Sequence, residues 1–456
     1  MKKIAFSGAS GNGISPLEQI MLHLGYQVYG SDKSFDLGKD SARLRALKSV
    51  GLKIVPQDGS MITPDIEYLC VSAAINQDNP DVLAARQLGI PIKFRSDLLL
   101  EILSSYRYGV AVGGTAGKTT VTAMIGYILD VLGKKPCMIN GGALCNYAER
   151  LGIPNYIYND GEICVIEADE SDGSIQKYHP YVGLITNISH DHTSLEKLFS
   201  YFSTFAEHSQ NLVISLDFPN HAKITHPHLT TFSLNNPQAD FFADEIVLNS
   251  DSISYRLQGK NFTLPLIGKF NVANALAAIA VCAKLGIPAH DSAKVLEGFY
   301  GVKTRLEKVG TTNGITVYND FAHNPSKIEA SLLALKSGGG RIIAMYQPHT
   351  SFSARNTGEE TAAVIARTLA PDDIILMQEI YEIAPQDTDV SSQNIINLIR
   401  QNGHSNAFYS KSYTDTLDYI KKHATSGDKI IIMGAHDNAL FDLSCLILKE
   451  LQSETE

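Results

Sequence analysis

The stretch GVAVGGTAGKTTVTAM, from Gly109 to Met124, constrains the fold more than any other part of the sequence. It predicts a short apolar strand, a glycine-rich turn and a helix. This order is typical of a phosphate-binding site, in which the turn is the phosphate-binding loop. Lys118 would neutralise phosphate charge and the Thr119 hydroxyl would ligate Mg²⁺. Val112 stands where the usual loop has its first glycine, so this loop is shortened. A glycine turn with a solvated lysine is the alternative. The predicted nucleotide ligands are Gly114, Thr115, Gly117, Lys118, Thr119 and Thr120.

Acidic residues follow another apolar strand, in EICVIEADESD. Glu167 ends the run ICVIE, and parallel sheets place their ligands at the carboxyl ends of strands. Glu167 is therefore the predicted Mg²⁺ ligand, with Asp169, Glu170 and Asp172 as alternatives close by. His192 follows the next apolar strand and is a further candidate, although imidazole is an unusual Mg²⁺ ligand.

A second glycine-rich turn, GASGNG, follows the first predicted strand. Gly8, Gly11 and Gly13 would let the backbone approach a diphosphate, and Asp32 at the end of the next strand could bind ribose hydroxyls. The spacing is not the dinucleotide pattern GxGxxG, so a tight turn without a ligand remains an alternative.

The order of predicted elements indicates an α/β protein with three segments. Strands and helices alternate in the first and third segments, which predicts two Rossmann-like folds around a central phosphate-loop domain with a parallel sheet. The predicted boundaries are residues 1–105, 106–302 and 303–456. A chain of 456 residues is too long for one hydrophobic core.

Composition excludes several classes of function. The net charge of −10 argues against a nucleic-acid or anionic-membrane surface. None of the six cysteines forms a CxxC pair, and buried free thiols fit a reducing compartment. MKKIAFSG lacks the apolar core of a signal peptide, so we expect a soluble, cytoplasmic protein without membrane insertion.

The motifs GTAGKTT, EADESD, TNISHDH, GKFNVANALAA, TRLE and NDFAHNP occur in the order seen in the Mur ligase family, which the chain resembles over almost its whole length. The resemblance implies ATP and Mg²⁺ as cofactors, and Lys118, Glu167, His192 and Arg305 as catalytic residues. It implies Thr119, Glu167 and His192 as metal ligands. Further implied nucleotide contacts are Asn271, Asn274, Arg305, Asp320, His323 and Asn324. Implied UDP-sugar and acceptor contacts are Gly8, Gly11, Gly13, Asp32, Ser72, His349 and Arg355.

The implied activity is formation of an amide bond on a UDP-N-acetylmuramate-type substrate through an acyl phosphate, in peptidoglycan synthesis. GYQVYGSD, VSAAINQDNP, IPIKFRSDLL and YQPH resemble members that add L-alanine. Ala116, in place of a histidine, and TSFSAR depart from those members, while TRLE and NDFAHNP also resemble the ligase that recycles a murein tripeptide. The identity of the acceptor, an amino acid or a small peptide, stays open. The oligomeric state, monomer or dimer, also stays open. An NAD-dependent oxidoreductase and a non-catalytic nucleotide-binding regulator are the alternatives from other classes.

Overall fold

The structure is a computed structural model that describes residues 2–39, 41–189, 194–381, 390–434 and 438–453. The chain divides into two compact units. The first comprises Met1–Glu245, Tyr255–Leu264 and Val272–Val302, and the second comprises Ile246–Ser254, Pro265–Asn271 and Lys303–Glu456. The predicted boundary at residue 105 falls inside the first unit, and the three domain ranges stay a prediction.

The N-terminal sheet has the order β3-β2-β1-β4-β5, and all of its pairs are parallel. Its strands are β1 (Lys3–Ser7), β2 (Gln27–Ser31), β3 (Lys53–Ile54), β4 (Ile66–Val71) and β5 (Ile92–Phe94). Its helices are α1 (Ser15–His23), α2 (Lys33–Asp36), α3 (Ser41–Ser49), α4 (Pro80–Leu88) and α5 (Arg95–Ser104). Ser7 pairs with both Ser31 and Val71, so the turns after β1, β2 and β4 meet at one edge of the sheet.

The central sheet has the order β15-β14-β13-β12-β11-β10-β6-β9-β7-β8. Its first strands are β6 (Tyr108–Gly113), β7 (Cys137–Ile139), β8 (Tyr156–Ile157), β9 (Ile163–Glu167) and β10 (Val182–Ile185). The others are β11 (Asn211–Ser215), β12 (Leu229–Ser233), β13 (Phe241–Leu248), β14 (Ile253–Leu257) and β15 (Lys260–Leu264). The helices are α6 (Lys118–Val131), α7 (Leu195–His208), α8 (Phe270–Lys284) and α9 (Ala289–Leu296). Strand β6 lies between β9 and β10 and is parallel to both, so its C-terminal end faces the ends of both neighbours.

The third sheet has the order β16-β17-β21-β18-β19-β20 and is parallel except for the β16–β17 hairpin. Its strands are β16 (Glu307–Thr312), β17 (Ile315–Asp320), β18 (Ile342–Gln347), β19 (Ile374–Met377), β20 (Ala407–Tyr409) and β21 (Lys429–Gly434). Its helices are α10 (Pro325–Lys336), α11 (Ser351–Thr368), α12 (Ser392–Gln401), α13 (Tyr413–His423) and α14 (Asn438–Ser453). The predicted α/β class is confirmed, since helices pack on three largely parallel sheets.

One continuous core joins the first two sheets of the first unit. Phe6 and Leu17, from the N-terminal sheet and its helix, belong to the same buried cluster as Ile166 and Phe202 of the central segment. The third sheet has buried clusters on each face, represented by Ile431 and Ile430. Among the helices that the structure describes, none combines the length and apolar character needed to cross a bilayer.

Glu18 is a carboxylic acid inside the N-terminal core. Its side chain has 0% exposure, and neither oxygen has a hydrogen-bond partner among the described residues. Burial raises the pKa of Glu18 well above its ordinary value, Arg43 opposes that rise and Asp32 adds to it. The native state therefore keeps a proton that the unfolded chain releases above pH 4.5. The free energy of unfolding should fall as pH rises above that value, until Glu18 itself ionises in the native state.

Glu18→Gln should remove this pH dependence and make the protein more stable than the wild type at pH 8. The wild-type free energy of unfolding should fall by up to ~1.4 kcal/mol per pH unit more than that of the variant, because one proton is involved. Urea unfolding at pH 6, 7 and 8 measures it, with Glu162→Gln as a control, since Glu162 is 64% exposed. If Glu18→Gln and wild-type stability change in parallel with pH, Glu18 does not carry the extra proton.

Candidate active site

The turn between β6 and α6 has the backbone of a phosphate-binding loop. Gly114 has φ +132° and Gly117, the N-cap of α6, has φ +85°, a region that favours glycine. A Cβ on Gly114 would lie 1.9 Å from Thr186 Oγ1, and one on Gly117 would lie 2.7 Å from Asn274 Oδ1. The first N–H groups of α6 have no partner within the helix, so they are available to an anion.

Thr186 and Asn187, directly after β10, hold this loop in place. Asn187 Oδ1 accepts hydrogen bonds from Thr115 Oγ1 at 2.6 Å and from Ala116 N at 2.9 Å. Asn187 Nδ2 and Thr186 Oγ1 both donate to Ala116 O, at 3.1 and 2.7 Å. Thr115 is only 4% exposed, and its hydroxyl stabilises the loop through the hydrogen bond to Asn187. The sequence analysis gave Thr186 and Asn187 no role, although both lie in the stretch TNISHDH.

We expect Asn187→Ala to weaken ATP binding about 10-fold while the fold survives. The variant removes the three bonds to Thr115 and Ala116, each worth ~1 kcal/mol, and part of that loss falls on the ordering of the loop. The KM for ATP in an ADP-release assay measures the effect. Asn211→Ala is the control, because Asn211 donates to Tyr181 O, directly before β10, and not to the loop. An unchanged KM for ATP would mean that the loop keeps its shape without Asn187.

Lys118 begins α6, and its ammonium is already paired. Its Nζ donates to Gly114 O at 2.6 Å and to Glu170 Oε2 at 2.7 Å. Burial opposes the charged ammonium, but Glu170 and Asp169 more than offset that, and the pKa of Lys118 is raised. Lys118 therefore stays charged at any physiological pH, and an arriving phosphate would replace Glu170 as its partner.

Glu167 and Thr119 lie at the ends of the elements that flank the loop. Glu167 pairs with Val112 across β6 and β9, and its Oε1 accepts from Gly141 N at 2.9 Å. Thr119 and Thr120 are half-buried in the first turn of α6. A carboxylate and a hydroxyl beside phosphate oxygens are the hard ligands that Mg²⁺ uses, so these side chains fit the ion.

The alternative acids are engaged in local turns. Asp169 accepts from Ser171 N at 3.0 Å and Asp172 from Ser174 N at 2.9 Å. His192 lies outside the described residues, and among the described ones no cluster of three histidine, cysteine or acidic side chains is placed to hold a metal.

The N-terminal glycine turn brings most of its predicted residues together. Gly8 has φ +90°, and a Cβ there would lie 3.9 Å from Ser72 Oγ. Gly11 N donates to Gly8 O at 2.9 Å, which closes the turn. Asp32 Oδ2 accepts from Ser10 N at 2.9 Å. Gly13 packs against the side chain of Arg95, which the sequence analysis did not single out.

Asp32 also caps α2. Its Oδ1 accepts from Ser34 N at 2.8 Å, and the residue is 9% exposed. With one oxygen on the glycine turn and the other on α2, Asp32 fixes the turn's shape in this structure.

In the second unit, the backbone around Arg305 has an unusual conformation. Thr304 and Leu306 have φ +58° and +48°, so two non-glycine residues in the left-handed region flank Arg305. Glu307 Oε2 accepts from Thr304 N at 2.8 Å, and Asp320 Oδ1 accepts from Leu306 N at 3.0 Å. Asp320 also accepts from Ser331 Oγ, and burial raises its pKa. Asp320 thus supports the turn that carries Arg305.

The remaining predicted residues of the second unit occupy helix starts and loops. Asn324 is the N-cap of α10 and accepts from Lys327 N at 3.0 Å, while the ring of His323 contacts Phe321. Asn271 Nδ2 donates to Ile267 O at 2.8 Å. His349 stacks on Tyr381, and Arg355 lies exposed on α11. The helix α11 begins at Ser351, so the stretch TSFSAR forms its N-cap and first turns.

Three sequence models of one family cover nearly all of this architecture. The Mur ligase family catalytic domain matches residues 3–107, the Mur ligase middle domain residues 112–282, and the Mur ligase glutamate ligase domain residues 304–436. The chain belongs to the Mur ligase family. The members of this family are ATP-dependent amide ligases, so the phosphate loop of the central segment has a substrate in ATP.

Relatives in the Mur ligase family align over nearly their full length. UDP-N-acetylmuramate–L-alanine ligase of Sinorhizobium medicae is 32% identical over 95% of this chain and 93% of its own. The enzyme of the same name from Acetivibrio thermocellus is 33% identical over 99% and 96%.

Solved structures of the Mur ligase family share the fold. UDP-N-acetylmuramate-alanine ligase from Thermotoga maritima superposes with a TM-score of 0.84, at 24% identity and 100% coverage of both chains. A murein peptide ligase from Psychrobacter arcticus gives a TM-score of 0.68, at 22% identity and 99% coverage of both.

Proposed function

We propose that the protein joins L-alanine to the carboxylate of UDP-N-acetylmuramate at the expense of ATP, in peptidoglycan synthesis. The relatives named for this reaction match 95% or more of the chain at 32–33% identity, which is the observation that carries the proposal. The glycine turn of the first sheet and the phosphate loop of the second supply the two anion sites that a UDP-sugar and ATP require.

In the proposed reaction, the carboxylate of the UDP-sugar attacks the γ-phosphate of ATP. The bond between the β- and γ-phosphates breaks, ADP leaves, and an acyl phosphate forms. The amine of alanine then attacks the acyl carbon, and phosphate and a proton are released as the amide forms. The loop N–H groups and Lys118 hold the phosphates and stabilise the charge that develops during transfer. Arg305 adds positive charge at the γ-phosphate.

Bound Mg²⁺ would supply further charge neutralisation between the phosphates. Thr119 and Glu167 would hold it, together with His192. Glu170 releases Lys118 to the phosphates, and Thr186 and Asn187 keep the loop in its binding conformation. Asn274, beside Gly117, would contact the nucleotide.

A murein tripeptide is the second candidate for the acceptor. Ala116 lies in the phosphate loop where alanine-adding members have histidine, and TSFSAR is less rich in arginine than their corresponding stretch. Since this stretch starts α11, its side chains project from a helix rather than from a free loop. These departures bear on the acceptor, and they leave Lys118, Glu167 and Arg305 intact.

ADP release measured with a panel of acceptors tests the proposal. The purified protein receives ATP, Mg²⁺ and UDP-N-acetylmuramate, with L-alanine, other amino acids or a murein tripeptide in separate reactions. Free N-acetylmuramate and NAD replace the UDP-sugar as controls. We expect ADP release to require both the UDP-sugar and L-alanine. Turnover only with the tripeptide would reassign the acceptor. No turnover with any amine would favour a non-catalytic nucleotide-binding regulator.

The compartment and assembly follow from the chemistry. ATP and UDP-sugars are intracellular metabolites, and the cysteines of the described chain are all free thiols, so we place the reaction in the cytoplasm. The partners are the UDP-sugar and the amine, and sedimentation would decide between monomer and dimer.

A further inference from the structure

We propose that Arg95 binds an oxyanion of the UDP-sugar and holds this substrate beside the phosphate loop, an inference that rests on the proposed function. Arg95 is the first residue of α5, directly after β5 at the carboxyl edge of the first sheet. Its side chain is 21% exposed, so it is largely enclosed yet accessible to a ligand. The sequence analysis gave Arg95 no role, although it lies in the stretch IPIKFRSDLL.

The Arg95 side chain lies against the glycine turn. A Cβ on Gly13 would lie 3.0 Å from Arg95 Cδ, 3.2 Å from Nη1 and 3.3 Å from Nε. Glycine at position 13 therefore leaves the space that the arginine fills. The backbone N–H groups of Asn12 and Gly13 have no hydrogen-bond acceptor among the described residues. The Arg95 guanidinium therefore places positive charge beside the glycine turn.

The other side of Arg95 faces the acidic turn after β9. Its Nη2 lies 3.6 Å from Asp169 Oδ2, which is an ion pair but too long for a good hydrogen bond. Asp169 therefore lies beside Arg95 and directly precedes Glu170, the partner of Lys118. A substrate oxyanion that accepts directly from Arg95 would replace this loose contact.

Arginine suits such a position because its planar fork donates two parallel hydrogen bonds to a phosphate or a carboxylate. The UDP-sugar carries both groups, and its carboxylate must reach the γ-phosphate at the loop. An arginine that contacts both the glycine turn and Asp169 is positioned to orient that substrate.

Calorimetry on the nucleotide-free protein tests the inference, with UDP-N-acetylmuramate and UDP as separate ligands. We expect Arg95→Ala to weaken UDP-N-acetylmuramate binding ~10–100-fold, the range for a hydrogen bond between charged groups. Arg95→Lys should remain weakened because it lacks the fork. Lys93→Ala is the control, since Lys93 is two residues away on β5 and pairs with Glu101 at 2.7 Å. An equal loss for UDP would identify the diphosphate as the oxyanion, and unchanged UDP binding would identify the carboxylate.

Asp169→Asn separates substrate binding from a purely structural link. The proposal expects this variant to bind UDP-N-acetylmuramate at least as tightly as the wild type does, because Asp169 competes with the substrate for Arg95. Wild-type affinity in Arg95→Ala, or an equal loss of affinity and melting temperature in Arg95→Ala and Asp169→Asn, would overturn it. If the wild type itself fails to bind UDP-N-acetylmuramate while Arg95→Ala folds normally, the proposed function fails, and this inference fails with it.

Discussion

Lys118→Ala should reduce ATP turnover by at least ~10²–10³-fold, because the variant loses the ammonium that stabilises charge on the transferring phosphate. In the structure this ammonium is held at the loop by Gly114 O and Glu170, within reach of an anion bound at the start of α6. ADP release at saturating ATP measures the loss. Lys135→Ala is the matched control, since Lys135 is 65% exposed and pairs only loosely with Asp160.

The same substitution leaves Glu170 buried without its cation. Glu170 is 3% exposed, and removal of one member of a buried pair commonly costs ~3–5 kcal/mol. We therefore pair Lys118→Ala with the double variant Lys118→Ala/Glu170→Gln, which restores neutrality. The double variant should recover the melting temperature but not the turnover. Recovery of turnover as well would show that Lys118 balances Glu170 and takes no part in catalysis.

The sequence predicted the strand, glycine turn and helix of this segment because their residues are contiguous. Gly114, Gly117 and Lys118 lie within a single turn, and strand, glycine turn and helix together define that local geometry. Thr186 and Asn187 escaped notice because their contacts with the loop join residues about 70 positions apart. Such contacts depend on β6 and β10 being neighbours, which periodicity within either strand does not specify.

The strand β16 illustrates a signal that was present but unused. Asn313 and Gly314 have φ +51° and +76°, and they join β16 to β17 as a two-residue hairpin turn. Asn-Gly between residues of strand character is the strongest short-range hairpin signal. The start of α11 carried no such signal in the sequence. The polar run SFSAR, at the beginning of this helix, has no helical hydrophobic pattern. Thr350, which accepts from Ser353 N at 3.1 Å, caps this helix start.

The roles of Asp32 and Asp320 could not be predicted because a carboxylate can bind either a ligand or its own backbone. Both residues follow the pattern of nucleotide contacts in the sequence. In the structure each spends its oxygens on nearby donors, Asp32 on Ser10 N and Ser34 N, and Asp320 on Leu306 N and Ser331. The sequence does not specify which donors these two carboxylates bind, and their contacts with the UDP-sugar and the nucleotide stay predictions.

Arg305→Ala should lower the catalytic rate by ~10²–10³-fold with little change in ATP affinity, because in the proposed reaction its charge acts on the transition state. The strained backbone supports this prediction. Thr304 and Leu306 each store ~1–3 kcal/mol in a left-handed conformation. Such strain persists only where surrounding contacts enforce it, and here Glu307, Asp320 and Phe321 N bind the turn. A turn so constrained fixes the direction of one side chain.

Arg305 Nη1 donates to Thr304 O at 3.1 Å, but Glu307, Asp320 and the backbone of Phe321 also hold this turn. Loss of the Arg305 guanidinium should therefore leave the fold intact. The kcat for ADP release, the Kd for ATP and the melting temperature are measured together. Arg367→Ala is the control, because Arg367 is 58% exposed and pairs with Glu329 on the surface of the same unit. Arg305→Lys should recover only part of the rate, since an ammonium lacks the planar fork. A parallel fall in kcat, ATP affinity and melting temperature would instead make Arg305 part of the packing around Phe321, whose ring lies 4.9 Å from its guanidinium.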